Sequence, residues 1–191
     1  MSKIWYYQDM NLHPIFVHFP VALLTVYALM ELVRFKKVTN QPYWFYLKAV
    51  FLMIGGLGAL AALYTGDMAK ASVRAGDFHA AISNFNQVVN MHENFADYTV
   101  AIFGILAACY LFLWMERLNF SLLMKKIKLF PVWKFLLALA HFFVETRFVI
   151  FMALAGLVCV TITGGLGGVM VYGVNADPFF GVVYHMLFPG Q

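Results

Sequence analysis

Charge is what this chain has least of. Only 12% of its 191 residues are Asp, Glu, Lys or Arg, against about a quarter in a soluble domain. That scarcity excludes an ordinary water-soluble fold. Cysteine is nearly absent too. Cys109 and Cys159 both fall inside apolar runs, so they read as small core residues and exclude a disulfide scaffold, a CxxC redox pair or a zinc finger. The sequence has no nucleophile–base arrangement and no glycine-rich phosphate loop. Its spans carry no acidic residue at mid-depth, which argues against a proton or ion pump. We read no internal repeat, no low-complexity tract and no secretory signal with a small-residue cleavage site. The net charge of +4 does not point to nucleic acid, because the basic residues cluster beside apolar spans.

What the chain has in abundance is hydrophobic side chains, 63% of the total. Four runs are long enough to cross about 30 Å of hydrocarbon at about 1.5 Å per residue. We place these spans at 13–35, 43–65, 94–116 and 148–173. Arg34, Lys36 and Lys37 follow the first span. Arg117, Lys125, Lys126, Lys128, Lys134 and Arg147 follow the third. The positive-inside rule then puts both basic loops in the cytoplasm and both termini outside.

Two further segments predict helices that do not cross. Residues 130–146 are apolar but short, and Lys134, His141 and Glu145 fall within about 40° of one another on a helical wheel. This predicts an amphipathic helix in the cytoplasmic interface. In the outer loop, 66–93, Phe78, Ile82, Phe85, Val88 and Val89 recur at three- and four-residue spacing, which predicts a helix above the membrane. The expected fold class is an all-α integral membrane protein. It is a single domain over 1–191, a four-transmembrane-helix bundle with an outer loop helix and a cytoplasmic interfacial helix.

Ionisable groups are expensive in a membrane, so those that persist are functional candidates. His13 and His18 flank the start of the first span, with Pro14 at a helix-initiating position and Pro20 opening the backbone beside His18. His18 lies about 7 Å deeper than His13. Asp67 ends the second span after Thr65-Gly66, and His92 begins the third. With His79 in the outer loop, these residues gather at the outer face. Imidazoles from facing helices hold haem iron in membrane bundles. The same imidazoles suit copper or zinc, and Asp67 is placed to orient one of them through its other nitrogen. The alternative for each histidine is an amphipathic interfacial residue with a wet end. His141 reads as solvated, His185 has no evident role, and Glu31 and Glu116 read as surface pairs with nearby arginines. Gly55, Gly56, Gly58, Gly164, Gly165, Gly167 and Gly168 allow backbones or a flat ligand to approach closely.

The run His13-Pro14-Ile15-Phe16-Val17-His18-Phe19-Pro20-Val21-Ala22-Leu23 resembles the opening signature of a bacterial family of four-helix predicted membrane proteins of unknown function. Thr65-Gly66-Asp67, His92 and Gly167-Gly168-Val169-Met170-Val171-Tyr172 resemble the family's later motifs, so the likeness covers all four spans. Where the family often has an acid and a histidine in its last motif, this chain has Val169 and Gly173. Family members also occur fused to Rieske iron–sulfur or cytochrome c domains. The resemblance therefore implies redox work in the bacterial inner membrane.

The expected function is a b-type cytochrome subunit of a respiratory complex, more an electron-transfer subunit than an enzyme by itself. Haem b would have His18 and His92 as axial ligands, with His13 at a propionate or as alternative ligand and Asp67 behind them. Electrons would pass between the quinone pool and a periplasmic c-type cytochrome or Rieske protein. Two alternatives stay open. One is a copper- or zinc-binding membrane protein using His13, His18 and His92. The other is a cofactor-free anchor or accessory subunit of a respiratory complex.

Overall fold

The computed structural model describes residues 13–72 and 82–190, and these form eight helices with no strand among them. Four are long and apolar enough to cross a membrane: α1 (His13–Leu32), α3 (Pro42–Ser72), α4 (Phe85–Arg117) and α7 (Phe148–Tyr172). Large apolar side chains point outward as well as inward. Leu57, Tyr64, Phe151 and Val158 are exposed while Leu24, Leu52, Phe103 and Ala153 are buried. A helix that is apolar all round needs lipid or protein on every side. Short α2 (Lys36–Thr39) links α1 to α3. Helices α5 (Ser121–Lys126) and α6 (Phe130–Glu145) link α4 to α7, and α8 (Pro178–Leu187) folds back on α7.

The spans pack in the cyclic order α1, α3, α4, α7. The α1–α3 and α4–α7 pairs are the most extensive. The α3–α4 and α7–α1 contacts are smaller and closely matched to each other. This is the arrangement of two equivalent helix hairpins about a pseudo-two-fold axis running along the bundle. Side-chain contacts repeat in the same register. A Cβ on Gly55 would strike Leu24, and one on Gly156 would strike Phe103. The step from Leu24 to Phe103 is that from His13 to His92, and the step from Gly55 to Gly156 is that from Gly66 to Gly167. The second step is longer because α5 and α6 occupy the second connection. The chain therefore contains an internal structural repeat, contrary to the sequence reading. Its trace is faint: His13, Phe16, Val21, Ala22 and Ala28 recur as His92, Phe95, Val100, Ala101 and Ala107. On the diagonal, α1 and α4 meet through aromatic edges, with Tyr27 5.9 Å from Tyr110 and 6.0 Å from Phe103.

Several boundaries differ from expectation. Helix α4 begins at Phe85, nine residues before the predicted span, so Phe85, Val88 and Val89 belong to it and not to a separate loop helix. Phe78, with the rest of 73–81, lies outside the described residues. Helix α3 runs on to Ser72, so Thr65-Gly66-Asp67 lies inside a helix and not at its end. Helix α6 forms where the amphipathic segment was predicted, burying Trp133, Leu137 and Ala140 and leaving Lys134 exposed. The unpredicted α8 starts at an Asp-Pro signal. Asp177 accepts a 2.8 Å bond from the Phe179 N–H, and Pro178 fills the first turn. Its Val183, Tyr184 and Phe188 pack with Val88, Ile162, Leu166 and Val169.

Candidate functional site

The repeat brings His13 and His92 to equivalent places at one end of the bundle, on diagonally opposed helices and within electrostatic range of each other. Each has its Nδ1 against the neighbouring span, through different groups. His92 donates from Nδ1 to the Thr163 carbonyl oxygen of α7 at 2.9 Å. Its ring lies against Gly167, one turn on, where a Cβ would be 3.5 Å from the imidazole. His13 has its Nδ1 3.2 Å from Thr65 Oγ1 on α3, and its ring lies within hydrogen-bonding reach of the Ala62 carbonyl. It packs against Gly66, where a Cβ would be 3.2 Å away. Ala62 and Thr163 are equivalent in the repeat, as are Gly66 and Gly167. At Gly66 the fit is tight, so an added Cβ would make the ring of His13 give way slightly; at Gly167 a Cβ would meet the His92 ring at ordinary contact distance.

The His92 bond fixes its tautomer. A carbonyl oxygen only accepts, so His92 must carry its proton on Nδ1, and its Nε2 bears the lone pair. Thr65 has the Ala61 and Ala62 carbonyls as acceptors at 3.0 and 3.1 Å; when its proton goes to either, its oxygen is able to accept from His13 Nδ1. Hydrogen bonding of the distal nitrogen to a backbone carbonyl is the usual way to orient a metal-ligating imidazole and raise its basicity.

The other predicted residues do not join this pair. His18 is exposed, because five residues at about 100° each carry it about 140° round α1 from His13. Pro20, expected to open a cavity beside it, is buried with its ring against Gly58. Asp67 is exposed on α3. The groups orienting the histidines are a hydroxyl and carbonyls, not this carboxylate. His92 sits two turns inside α4 and not at its start. His79 lies outside the described residues, and His185 is exposed on α8. Among the described residues no three His, Cys, Asp or Glu side chains come together to hold a metal ion, so the three-imidazole set of His13, His18 and His92 does not assemble.

The opposite end of the bundle carries a second polar group that the sequence reading missed. Glu31, expected at the surface, is 2% exposed. Its Oε2 accepts from Lys48 Nζ at 2.8 Å and its Oε1 from the Tyr110 hydroxyl at 2.5 Å. Tyr27 places its buried hydroxyl beside them without a hydrogen bond of good geometry. Glu116 does pair near the surface, with His141 at 2.9 Å, and His141 also meets Glu145 at 2.9 Å. Burial lowers the His141 pKa, but the two carboxylates outweigh it and raise the imidazole above its ordinary value.

No protein-family model, curated protein or solved structure matches the chain.

Proposed function

We propose that this protein is a membrane electron-transfer subunit, a b-type cytochrome in which His13 and His92 would hold one haem b. The observation that carries the reading is the matched anchoring of the two imidazoles. His92 has Nδ1 committed to the Thr163 carbonyl of α7 and His13 has Nδ1 against Thr65 of α3, at equivalent positions of a repeat. A donor set of two imidazoles suits haem, whose porphyrin provides the remaining four ligands. Structural zinc takes four protein ligands and catalytic zinc three, so the set fits haem better than zinc. When bound, haem would supply one-electron chemistry.

The chain's own residues do the rest. Thr163 holds the tautomer of His92, and Thr65 and Ala62 orient His13. Gly66 gives the His13 ring room against α3. The apolar spans exclude water, which tunes the potential of a bound redox centre. In this reading the histidine end faces outward, towards a c-type cytochrome or Rieske partner. The basic loops face the cytoplasm, α6 lies in the inner interface, and the quinone pool is the other redox partner.

A dithionite-reduced minus oxidised visible spectrum of the purified protein tests this. We expect the sharp α-band of low-spin haem b, lost in His13→Ala and in His92→Ala and kept in His18→Ala. A flat spectrum from haem-supplied cells refutes the reading. One observation favours a second one: a hydrogen bond between spans, such as His92 to Thr163, also serves as interhelical glue. In that case the chain is a cofactor-free anchor, and both alanine variants lose stability with no spectrum to lose.

A further inference from the structure

At the Glu31 end, α1, the α2 connection, α3, α4 and α6 enclose a cleft of about 320 Å3. Its charge is lopsided. Arg34, Lys48 and Arg117 line it against one carboxylate, Glu31. Both oxygens of that carboxylate are already taken by Lys48 and Tyr110. Lys48 thus neutralises Glu31, and two guanidinium charges remain. Arg117 stacks on Phe45 with its Cζ 3.6 Å from the ring centroid, which leaves its N–H donors at the edge of the plane. Gln41 adds an amide to the wall. Lys36, Lys37, Lys125 and Lys126 are exposed and need no more than the positive-inside rule. Arg34 and Arg117 are exposed too, but unlike those lysines they line the cleft over a neutralised buried pair, and that placement needs a further explanation.

We propose that this cleft binds the phosphate of an anionic phospholipid headgroup. The chemistry follows from the lining: two residual positive charges, planar donors suited to phosphate oxygens, and aromatic walls in Trp44 and Phe45. The lipid source follows from position. The cleft lies at the ends of the spans, where headgroups lie, and basic pockets between membrane helices bind such lipids. One turn beyond Trp44, Leu47 is exposed, followed by Val50 and Ile54 on the outside of α3. These give an acyl chain an apolar track leading away from the cleft. The inference is independent of the redox reading.

Native mass spectrometry of the full chain in neutral detergent tests it, with phosphatidylglycerol, phosphatidylcholine and inorganic phosphate as probes. We expect retained phosphatidylglycerol, little phosphatidylcholine, and binding about tenfold weaker in Arg34→Gln, as loss of one charged hydrogen bond implies. Gln41→Leu should weaken binding in the same direction, and Lys36→Gln with Lys37→Gln should leave it unchanged. Equal retention of the two lipids overturns the proposal, as does unchanged binding in both Arg34→Gln and Gln41→Leu. Displacement of the lipid by millimolar inorganic phosphate also overturns it and assigns the cleft to a soluble phosphate ester.

Discussion

Replacing Lys48 with Met should destabilise the bundle far more than any surface change. The Glu31 side chain is 1% exposed and that of Lys48 14%, so the carboxylate cannot turn to water when its cation is removed. Tyr110 remains as one neutral donor for a full negative charge. Breaking a buried pair on one side costs about 3–5 kcal/mol. For a chain of this size, about 2–4 °C of melting temperature accompanies each kcal/mol, so a fall of about 10 °C is expected. Glu31→Gln should cost less, about 1–2 kcal/mol, because the amide oxygen still accepts from Tyr110 and Lys48 can swing toward the cleft. Combining Glu31→Leu, Lys48→Met and Tyr110→Phe removes every partner together and should restore much of the loss. Cys109 and Cys159 are buried, so a thiol-reactive dye reports the melt in detergent. The reasoning fails if Lys48→Met melts with the parent, or if the triple variant melts below Lys48→Met.

Four further outcomes are expected. His13→Ala and His92→Ala should each abolish the low-spin haem spectrum to the same extent, while His18→Ala leaves it intact. Arg34→Gln should lose phosphatidylglycerol in native mass spectrometry. The raised pKa of His141 gives stability that is present at low pH and lost as pH rises through the folded-state value. His141→Gln should therefore flatten the melting profile upward from about pH 6.5, with an amplitude under about 1 kcal/mol because all three partners are substantially exposed. Gly156→Ala would put a Cβ 2.7 Å from Phe103 Cζ and should cost about 1–3 kcal/mol. Gly56→Ala, with nothing within 4 Å, should melt at or above the parent.

The four spans were legible because a run of about 20 apolar residues permits few alternatives in a membrane. The ends of the helices were not. Polar residues such as Asn86, Gln87 and Asn90 separate the predicted outer helix from the third span in a hydropathy reading, yet α4 runs through them as one helix, with Val88 packed under α8. His92 was marked as a candidate by its rarity, but it was paired with His18, which the structure leaves exposed, and not with His13, its equivalent on α1. A helical wheel separates His13 from His18 by about 140° and cannot say which of the two faces the bundle. That is decided by Thr65 and Gly66, which are distant in sequence. The burial of Glu31 was hidden for the same reason. Adjacent Arg34 suggested a surface pair, whereas the real partners, Lys48 and Tyr110, sit on two other helices.

The repeat sharpens the division of labour between the two ends. At the histidine end the halves agree: imidazole, carbonyl and glycine occur in both, in register. At the other end the halves disagree. Glu31 and Tyr110 occupy equivalent positions and bond to each other across the axis, while Lys48 on α3 corresponds to apolar Val149 on α7. Two glutamates at those positions would place like charges together in the core, a cost that one tyrosine removes by donating instead. Of the cations lining the cleft, Arg34 and Lys48 belong to the first half and Arg117 to the second, so the two halves contribute unequally at this end. Replacing Tyr110 with Glu would test that cost: with one lysine for two buried carboxylates, the variant should fold only at low pH.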